Sequence, residues 1–127
     1  MKISYGLTVC NEDKELENLI TYLKDIIKSE DEIVIVYDQN RVTNEVKQIL
    51  EKYKSDCTSY PFDFKQNFLE NKNYLNSKCK GDYIFQLDAD EIPEKFLVEN
   101  LKAVLESNSA DVFITPRKNL VAGLTQE

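Results

Sequence analysis

The sequence predicts an α/β fold: a doubly wound, mostly parallel sheet with flanking helices. Two observations indicate it. Apolar segments rich in β-branched residues alternate with amphipathic helical patterns along most of the chain. The segment EIVIVYD, residues 32–38, contains an unbroken apolar run, which is typical of a strand buried on both faces of a parallel sheet. Alternating strands and helices join parallel strands by right-handed crossovers, and ligands of such sheets collect at the carboxyl ends of the strands.

The first half of the chain supplies two strand–helix pairs. Residues 2–9, KISYGLTV, predict the first strand, and Asn11 is a plausible N-cap for the helix that follows. Residues 32–38 predict the second strand and residues 43–53 the second helix. The apolar face of the first helix consists of Leu16, Leu19, Ile20, Leu23, Ile26 and Ile27. That of the second consists of Val46, Ile49, Leu50 and Tyr53.

The second half continues the alternation with a weaker helical pattern. Residues 57–60 predict a short third strand that ends at Pro61, and residues 64–80 predict a helix that Gly81 stops. Phe68, Leu75 and Cys79 can share one face of that helix.

The last predicted units are a fourth strand, a helix and a fifth strand. The fourth strand covers residues 82–87, and Pro93 suits the first turn of the next helix. A fifth strand is predicted at residues 111–115, closed by Pro116. The buried stripe of the helix is predicted to be Phe96, Leu97, Leu101, Val104 and Leu105.

Length and charge exclude several classes of protein. A chain of 127 residues suits a single domain. Its 16 basic and 23 acidic residues give a net charge of −7, which repels a nucleic-acid backbone, and the lysines form no basic patch. No apolar run approaches the roughly 20 residues of a membrane span, and the start lacks a signal peptide. A cytoplasmic location is therefore expected.

Cysteine and histidine content limits the chemistry. Cys10, Cys57 and Cys79 form no metal-binding pair, and the chain has no histidine, so reduced thiols are expected instead of zinc or disulfides. Without histidine, the usual general base and the Ser-His and Cys-His nucleophile pairs are excluded. Any reaction must depend on carboxylates, a metal or the substrate.

Polar residues concentrate at the predicted strand ends. These residues are Thr8, Asn11 and Glu12 after the first strand, Asp38 after the second, and Asp88, Asp90 and Glu91 after the fourth. No GxGxxG or GxxxxGK[ST] motif follows the first strand, so neither a dinucleotide fingerprint nor a P-loop is present. A phosphate ligand would need another source of positive charge.

The Asp-x-Asp pair at Asp88 and Asp90 suggests that this source is a divalent metal. Carboxylate oxygens suit Mg²⁺ or Mn²⁺, which typically take one or two carboxylates and complete their shell with phosphate oxygens and water. On spacing alone, acidic residues that cap the next helix are the more common explanation. Glu91 is either a residue that supports the metal site or such a helix-start acid.

Three segments resemble family 2 of the nucleotide-sugar-dependent glycosyltransferases, which have the Rossmann-like GT-A fold. They are LTVCNE at residues 7–12, EIVIVYD at 32–38 and NKNYLNSKCKGDYIFQLDADE at 71–91. Lys72 and Asn73 fall on the family's Arg-Asn pair, and Gly81 and Asp82 on its Gly-Asp pair. The resemblance spans nearly the whole chain in the right order.

The chain also departs from the family pattern. Lys72 replaces an arginine and so lacks the planar fork, and Leu75 stands where glycine is frequent. The segment Tyr37-Asp38-Gln39-Asn40 replaces Asp-Asp-Gly-Ser. Family members normally continue into an acceptor-binding half, whereas this chain stops at Gln126-Glu127. The resemblance therefore implies a GT-A domain, residues 1–127, truncated after its donor-binding half.

Site roles follow from the resemblance, position by position. Thr8 and Asp38 match uracil contacts, Lys72 lies near the nucleotide, and Asp90 matches the metal ligand on the diphosphate, which would be Mn²⁺ or Mg²⁺. Asn73 either holds the loop or contacts the ligand. The full predicted UDP-sugar site comprises Thr8, Asn11, Glu12, Asp38, Lys72, Asn73, Asp88, Ala89 and Asp90.

The resemblance implies a metal-dependent, inverting, hexosyltransferase-like enzyme that uses a UDP-sugar. No residue can be assigned as its catalytic base, so weak transfer or slow UDP-sugar hydrolysis is expected of the isolated chain. The alternative is a non-catalytic nucleotide-binding module that acts through a partner. A nucleotidyltransferase would need a Gly-rich basic loop, which is absent. The sugar and the acceptor are not determined by the sequence.

A homodimer is also expected from the end of the chain. A sheet that stops after the fifth strand would leave an edge and an apolar surface that another copy could cover. The apolar residues of this surface are Phe113, Leu120, Val121 and Leu124.

Overall fold

The computed structural model describes residues 2–64 and 68–107 and confirms the α/β class. Strands and helices alternate throughout the described part. The elements are β1 (Ile3–Val9), α1 (Asp13–Ile26), β2 (Glu32–Asp38), α2 (Asn44–Lys52), β3 (Cys57–Phe62), α3 (Phe68–Lys78), β4 (Tyr83–Asp88) and α4 (Lys95–Ser107). The predicted fifth strand at 111–115 and the apolar residues behind the predicted homodimer lie outside the described residues.

The four described strands form one parallel sheet in the order β3-β2-β1-β4. β1 is flanked on both sides, and its register sets Thr8 opposite Val36 of β2 and Asp88 of β4. Because all the strands run in the same direction, their carboxyl ends share one edge of the sheet.

The hydrophobic core covers both faces of the sheet. In β2, Ile33 and Ile35 belong to the large cluster that includes residues of α1, α2 and α4, whereas Val34 and Val36 pack with Leu75 of α3. Alternate strand residues point to opposite faces, so α3 covers the face away from the other helices. This double cover explains why β2 is almost continuously apolar.

Gly6 of β1 lets α3 approach the sheet. A Cβ atom on Gly6 would lie 3.0 Å from Cδ2 of Leu75, which is fully buried. Position 75 holds leucine where glycine is frequent in the family pattern. This larger side chain fits because Gly6, on the strand below it, has no side chain. This packing anchors α3 across β1 and β2.

Two predicted boundaries in the first half of the chain are wrong. β3 continues through Pro61 to Phe62 instead of ending at the proline. β3 is an edge strand of the described sheet, where a residue without an N–H group can be accepted. α1 begins at Asp13, and Glu12, not Asn11, holds the N-cap position.

The start of α4 also differs from the prediction. The helix begins at Lys95, so Pro93 precedes it and is buried instead of forming its first turn. Phe96 is 71% exposed, while Val98 and Leu101 are buried, so the apolar stripe is rotated from the predicted one. The side chains of Val104 and Leu105 lie outside the described residues.

The three cysteines are free, and burial makes two of them poor nucleophiles. Burial raises the pKa of the Cys57 thiol to about 12 and that of the Cys79 thiol to about 11. Both thiols are therefore protonated at neutral pH. In residues 2–64 and 68–107, no helix is both long and apolar enough to cross a membrane.

Hydrogen bonds at the amino end of the sheet connect β1 to the start of β4. The Gly81 amide donates to Oγ of Ser4 at 2.7 Å, and the Ser4 hydroxyl donates to the Glu32 carboxylate. The Asp82 amide donates to the Lys2 carbonyl at 2.6 Å, and the Lys2 amide donates to the Asp82 carboxylate at 2.8 Å. Gly81 and Asp82 therefore set where β4 begins.

Gly81→Ala is expected to destabilise the fold, because the new Cβ would lie 2.7 Å from the Ser4 amide nitrogen and 2.9 Å from the Lys2 carbonyl oxygen. Relieving contacts with backbone atoms should cost about 1–3 kcal/mol in the free energy of unfolding. Urea denaturation measures this change in the free energy of unfolding. Lys80→Ala, at an exposed neighbour, is the control and should change stability by less than about 0.5 kcal/mol. Equal stability of both variants would contradict this reading of the Gly81 packing.

Candidate functional site

A cleft of about 230 Å³ lies at the carboxyl ends of the strands. Its lining includes five residues of the predicted site: Thr8, Glu12, Lys72, Asp88 and Asp90. They come from β1, the turn after β1, α3, β4 and the turn after β4. The fold thus brings together residues up to 82 positions apart in the sequence (8 to 90).

Thr8, Lys72 and Asp88 form one hydrogen-bonded cluster in this cleft. The Thr8 hydroxyl donates to Oδ1 of Asp88 at 2.8 Å, and Nζ of Lys72 lies 3.2 Å from the same oxygen and 3.4 Å from Oγ1 of Thr8. Lys72 is only 6% exposed. It precedes Leu75 by three positions, so both residues lie on the face of α3 that packs on the sheet. The Lys72 ammonium group is therefore held beside the Asp88 carboxylate.

The turn after β4 separates the two aspartates of the Asp-x-Asp pair. The Ala89 amide donates to the Thr8 carbonyl at 3.0 Å, which extends the β1–β4 pairing beyond the strand. The Asp88 amide donates to Oε1 of Glu91 at 2.7 Å, and the Glu91 amide donates to the Asp88 carbonyl at 2.9 Å. Asp90, at the tip of this turn, is exposed. Glu91 closes the turn and lies four positions before α4, so it is not in the helix's first turn.

Glu12 closes the turn after β1 in a similar way. Its Oε1 accepts hydrogen bonds from the amides of Cys10 at 2.9 Å and Asn11 at 3.1 Å. The carboxylate therefore occupies amide groups near the start of α1 that could otherwise bind an anion. Burial, and then the negative charges of Glu12 and Asp38, raise the pKa of the Cys10 thiol.

Four predicted site residues do not line the cleft: Asn11, Asp38, Asn73 and Ala89. Asp38 is only 1% exposed; its Oδ1 accepts from the Asn40 amide at 3.0 Å, and its Oδ2 lies 3.6 Å from Nε of Arg41. Its carboxylate stabilises the turn after β2. Asn11 and Asn73 are exposed, and Ala89 is buried.

Four cleft residues were not predicted: Val9, Cys10, Phe64 and Asn71. Phe64 lies just past the carboxyl end of β3, a position that the strand-end rule could have identified had β3 been extended past Pro61. Asn71 directly precedes Lys72 on α3. Its side-chain oxygen is buried and has no hydrogen-bond partner among the described residues.

The residues present fit a divalent metal that is shared with a ligand. Among the described residues, no group of three or more acidic, cysteine or histidine side chains could hold a metal by itself. Asp90 is exposed on the same cleft as Asp88. Mg²⁺ and Mn²⁺ commonly bind one or two carboxylates and take their remaining ligands from phosphate and water.

The fold is that of the GT-A glycosyltransferases, as comparison with solved structures shows. Glycosyl transferase family 2 matches residues 4–121, so the chain belongs to this family. The comparison with curated proteins found no match. The predicted fold class and the predicted family are both confirmed.

Solved structures share the fold at low sequence identity. Staphylococcus aureus TarS matches with a TM-score of 0.70 and 23% identity, over 84% of this chain and 20% of TarS. TarS 1-349 in complex with UDP-GlcNAc matches with a TM-score of 0.67 and 24% identity, over 84% of this chain and 32% of that one. The mannosyltransferase PcManGT from Pyrobaculum calidifontis, in complex with GDP-Man and Mn²⁺, matches with a TM-score of 0.64 and 13% identity, over 81% of this chain and 32% of that one. The chain thus spans between a fifth and a third of these structures.

Asp88→Asn is expected to destabilise the protein more than Lys72→Met does. The first change removes a carboxylate from beside a lysine whose side chain is 7% exposed, whereas the second leaves an aspartate that is 36% exposed and still hydrated. We expect losses of about 3 kcal/mol and about 1 kcal/mol in the free energy of unfolding. Urea denaturation of both variants and of the double variant measures this difference. A larger loss for Lys72→Met would show that lysine burial does not control the energy of the pair.

Proposed function

We propose that this chain forms the donor-binding part of a metal-dependent glycosyltransferase that uses a UDP-sugar. One observation carries the proposal: the Thr8–Lys72–Asp88 cluster and the exposed Asp90 line one cleft at the strand ends of a family 2 domain. In this proposal the cluster positions the nucleotide, and Asp90 holds the metal on the diphosphate.

The charges in the cleft support a metal requirement. Among the described residues, its lining contains three carboxylates, Glu12, Asp88 and Asp90, and one basic residue, Lys72, which is paired with Asp88. A nucleoside diphosphate would meet net negative charge in such a cleft. A divalent cation between Asp90 and the phosphates removes this repulsion. When bound, the metal would also offset the charge that develops on the departing diphosphate.

Known ligands of the structural neighbours are consistent with this ligand class. TarS was solved with UDP and with UDP-GlcNAc, and PcManGT with GDP-Man and Mn²⁺. The three nucleotides among them are a nucleoside diphosphate and two nucleoside-diphosphate sugars. The choice of uracil for this chain rests on its resemblance to family 2 at Thr8 and Asp38. The uracil contact of Asp38 stays a prediction, because that carboxylate is buried under the turn after β2.

The remaining site assignments follow from the resemblance and the cleft. Glu12 is proposed to lie near the base and ribose, and Asp88 to face the ribose or sugar side. Asn11, Asn73 and Ala89 lie outside the cleft lining, so their proposed contribution is to hold the turns and helix that carry the site. Ala89 does so through its amide hydrogen bond to the Thr8 carbonyl.

Transfer to an acceptor needs a base, and none can be assigned among the described residues of the cleft. The described cleft carboxylates are assigned to the turn after β1, to the lysine pair and to the metal, and the chain contains no histidine. A positioned base typically contributes about a hundred- to ten-thousand-fold in rate. The isolated chain is therefore proposed to bind the donor and hydrolyse it slowly. The second candidate, a non-catalytic nucleotide-binding module, is favoured by the same lack of a base.

Asp90→Asn is expected to weaken UDP binding strongly in the presence of Mn²⁺ and little in its absence, because only the metal-bridged diphosphate depends on this carboxylate. Isothermal titration calorimetry with and without Mn²⁺ measures both affinities. Asp25→Asn, at an exposed position of α1, is the matched control and should bind like the wild type. GDP should bind more weakly than UDP to every variant. Unchanged metal dependence in Asp90→Asn would place the metal elsewhere, and equal affinity for GDP and UDP would refute the uracil assignment.

Slow, acceptor-independent release of UDP is expected when the purified chain is incubated with a UDP-sugar and Mn²⁺. UDP-glucose, UDP-galactose and UDP-N-acetylglucosamine are the donors to compare, with and without simple sugar acceptors. Binding without any release would favour the non-catalytic module. Acceptor-dependent release at about 1 per second or faster, an ordinary enzyme rate, would show that a catalytic base is present.

A further inference from the structure

The turn after β4 is closed by two hydrogen bonds between its first and last residues. The Glu91 amide donates to the Asp88 carbonyl at 2.9 Å, which is the backbone bond of a four-residue β-turn. The Glu91 carboxylate reaches back and accepts from the Asp88 amide at 2.7 Å. Asp90 is the third residue of this turn. The backbone on either side of Asp90 is therefore fixed by the same pair of residues.

Ala89 attaches the turn to the rest of the sheet. Its amide donates to the Thr8 carbonyl at 3.0 Å, and its side chain, which is 1% exposed, belongs to the large core cluster. The turn is thus joined to β1 through Ala89 and closed by Glu91. Of the four residues of the turn, Asp90 is the exposed one, and it lines the cleft.

This support matters because Asp90 would hold a cation with little help from other side chains. Among the described residues, no group of three or more acidic, cysteine or histidine side chains could hold a metal by itself. Most ligands of a bound cation would then come from the diphosphate and water. A carboxylate adds most to such a shared site when it is already held in the binding position. Residues that orient a metal ligand typically contribute about ten- to a hundredfold in metal affinity.

We propose that Glu91 is a positioning residue for metal binding. Its hydrogen bond to the Asp88 amide holds the turn that presents Asp90 to a divalent cation shared with the donor diphosphate. This inference rests on the proposed function and assigns a role to a residue outside the Asp-x-Asp pair. Glu91 acts through the reach and the acceptor oxygen of its side chain, not through its charge and not as a ligand of the cation.

Three substitutions at position 91 separate reach from charge. Glu91→Gln keeps an acceptor oxygen on a side chain of the same length and loses the charge. Glu91→Asp keeps the charge but is one methylene shorter, so its carboxylate falls short of the Asp88 amide. Glu91→Ala loses both properties. Glu99→Ala is the matched control, because it removes a carboxylate from an exposed position of α4.

Isothermal titration calorimetry measures the affinity for UDP at a fixed Mn²⁺ concentration and in EDTA, and the ratio of the two affinities is the metal enhancement. The wild type, Glu99→Ala and Glu91→Gln are expected to show the same enhancement. Glu91→Ala and Glu91→Asp should lose about tenfold of it, while their affinity for UDP in EDTA stays at the wild-type value. A merely structural role would weaken UDP binding equally in both conditions, because the Thr8–Lys72–Asp88 cluster lines the same cleft.

The outcomes separate this inference from the function on which it rests. If Glu91→Ala keeps the wild-type enhancement, or loses affinity equally in Mn²⁺ and EDTA, the positioning role is refuted. If Glu91→Gln loses as much enhancement as Glu91→Ala, the charge of Glu91 or direct metal contact is responsible, and the positioning role is again refuted. In these cases the metal site stands as long as Asp90→Asn loses the enhancement.

A wild type whose UDP binding does not depend on Mn²⁺ would refute the metal part of the proposed function, and the role of Glu91 would fail with it. Circular dichroism checks that each variant is folded. Should Glu91→Ala fail to fold, the contrast between Glu91→Gln and Glu91→Asp decides, since the inference requires the first to keep the enhancement and the second to lose it.

Discussion

The position of β1 between two parallel partners is the constraint on which the rest of the structure depends. Its register with β2 and β4 is what sets Thr8 beside Asp88, and its burial on both faces leaves the strand ends as the place for polar groups. Gly6, in the same strand, makes room for Leu75 and so fixes the height of α3 above the sheet. Lys72 reaches Asp88 only because α3 is held at that height. Site and core therefore share the same contacts.

The cleft combines a neutralised interior with an acidic rim. Asp88, which is partly exposed, balances the charge of the buried Lys72 side chain. Asp90 has no such burial and can share a cation with an incoming ligand. Oδ1 of Asn71, a residue that also lines the cleft, is buried and has no hydrogen-bond partner among the described residues.

Local sequence patterns predicted the described strands and helices well and their ends less well. The first two strand–helix pairs are where the apolar periodicity placed them, because long-range packing there agrees with local preference. The errors fall at Asn11, Pro61, Pro93 and Phe96, where hydrogen bonds or packing in the folded chain decide the local structure. Glu12 binds the amides before α1, and the edge position of β3 tolerates a proline. The stripe of α4 follows the residues that meet the core, Val98 and Leu101.

By itself, the sequence determined the α/β class, the family resemblance and the set of acids at the strand ends, because strand order and chain direction bring those ends to one edge. Only the tertiary structure decided which polar groups face the cleft. Asp38 folds under its own turn, whereas Phe64 and Asn71, which carry no motif, line the wall. The physical reason is that side-chain direction at a strand end depends on the turn that follows and on the helix that packs across it. Those contacts join residues as distant in sequence as Thr8, Lys72 and Asp88, so no local pattern encodes them.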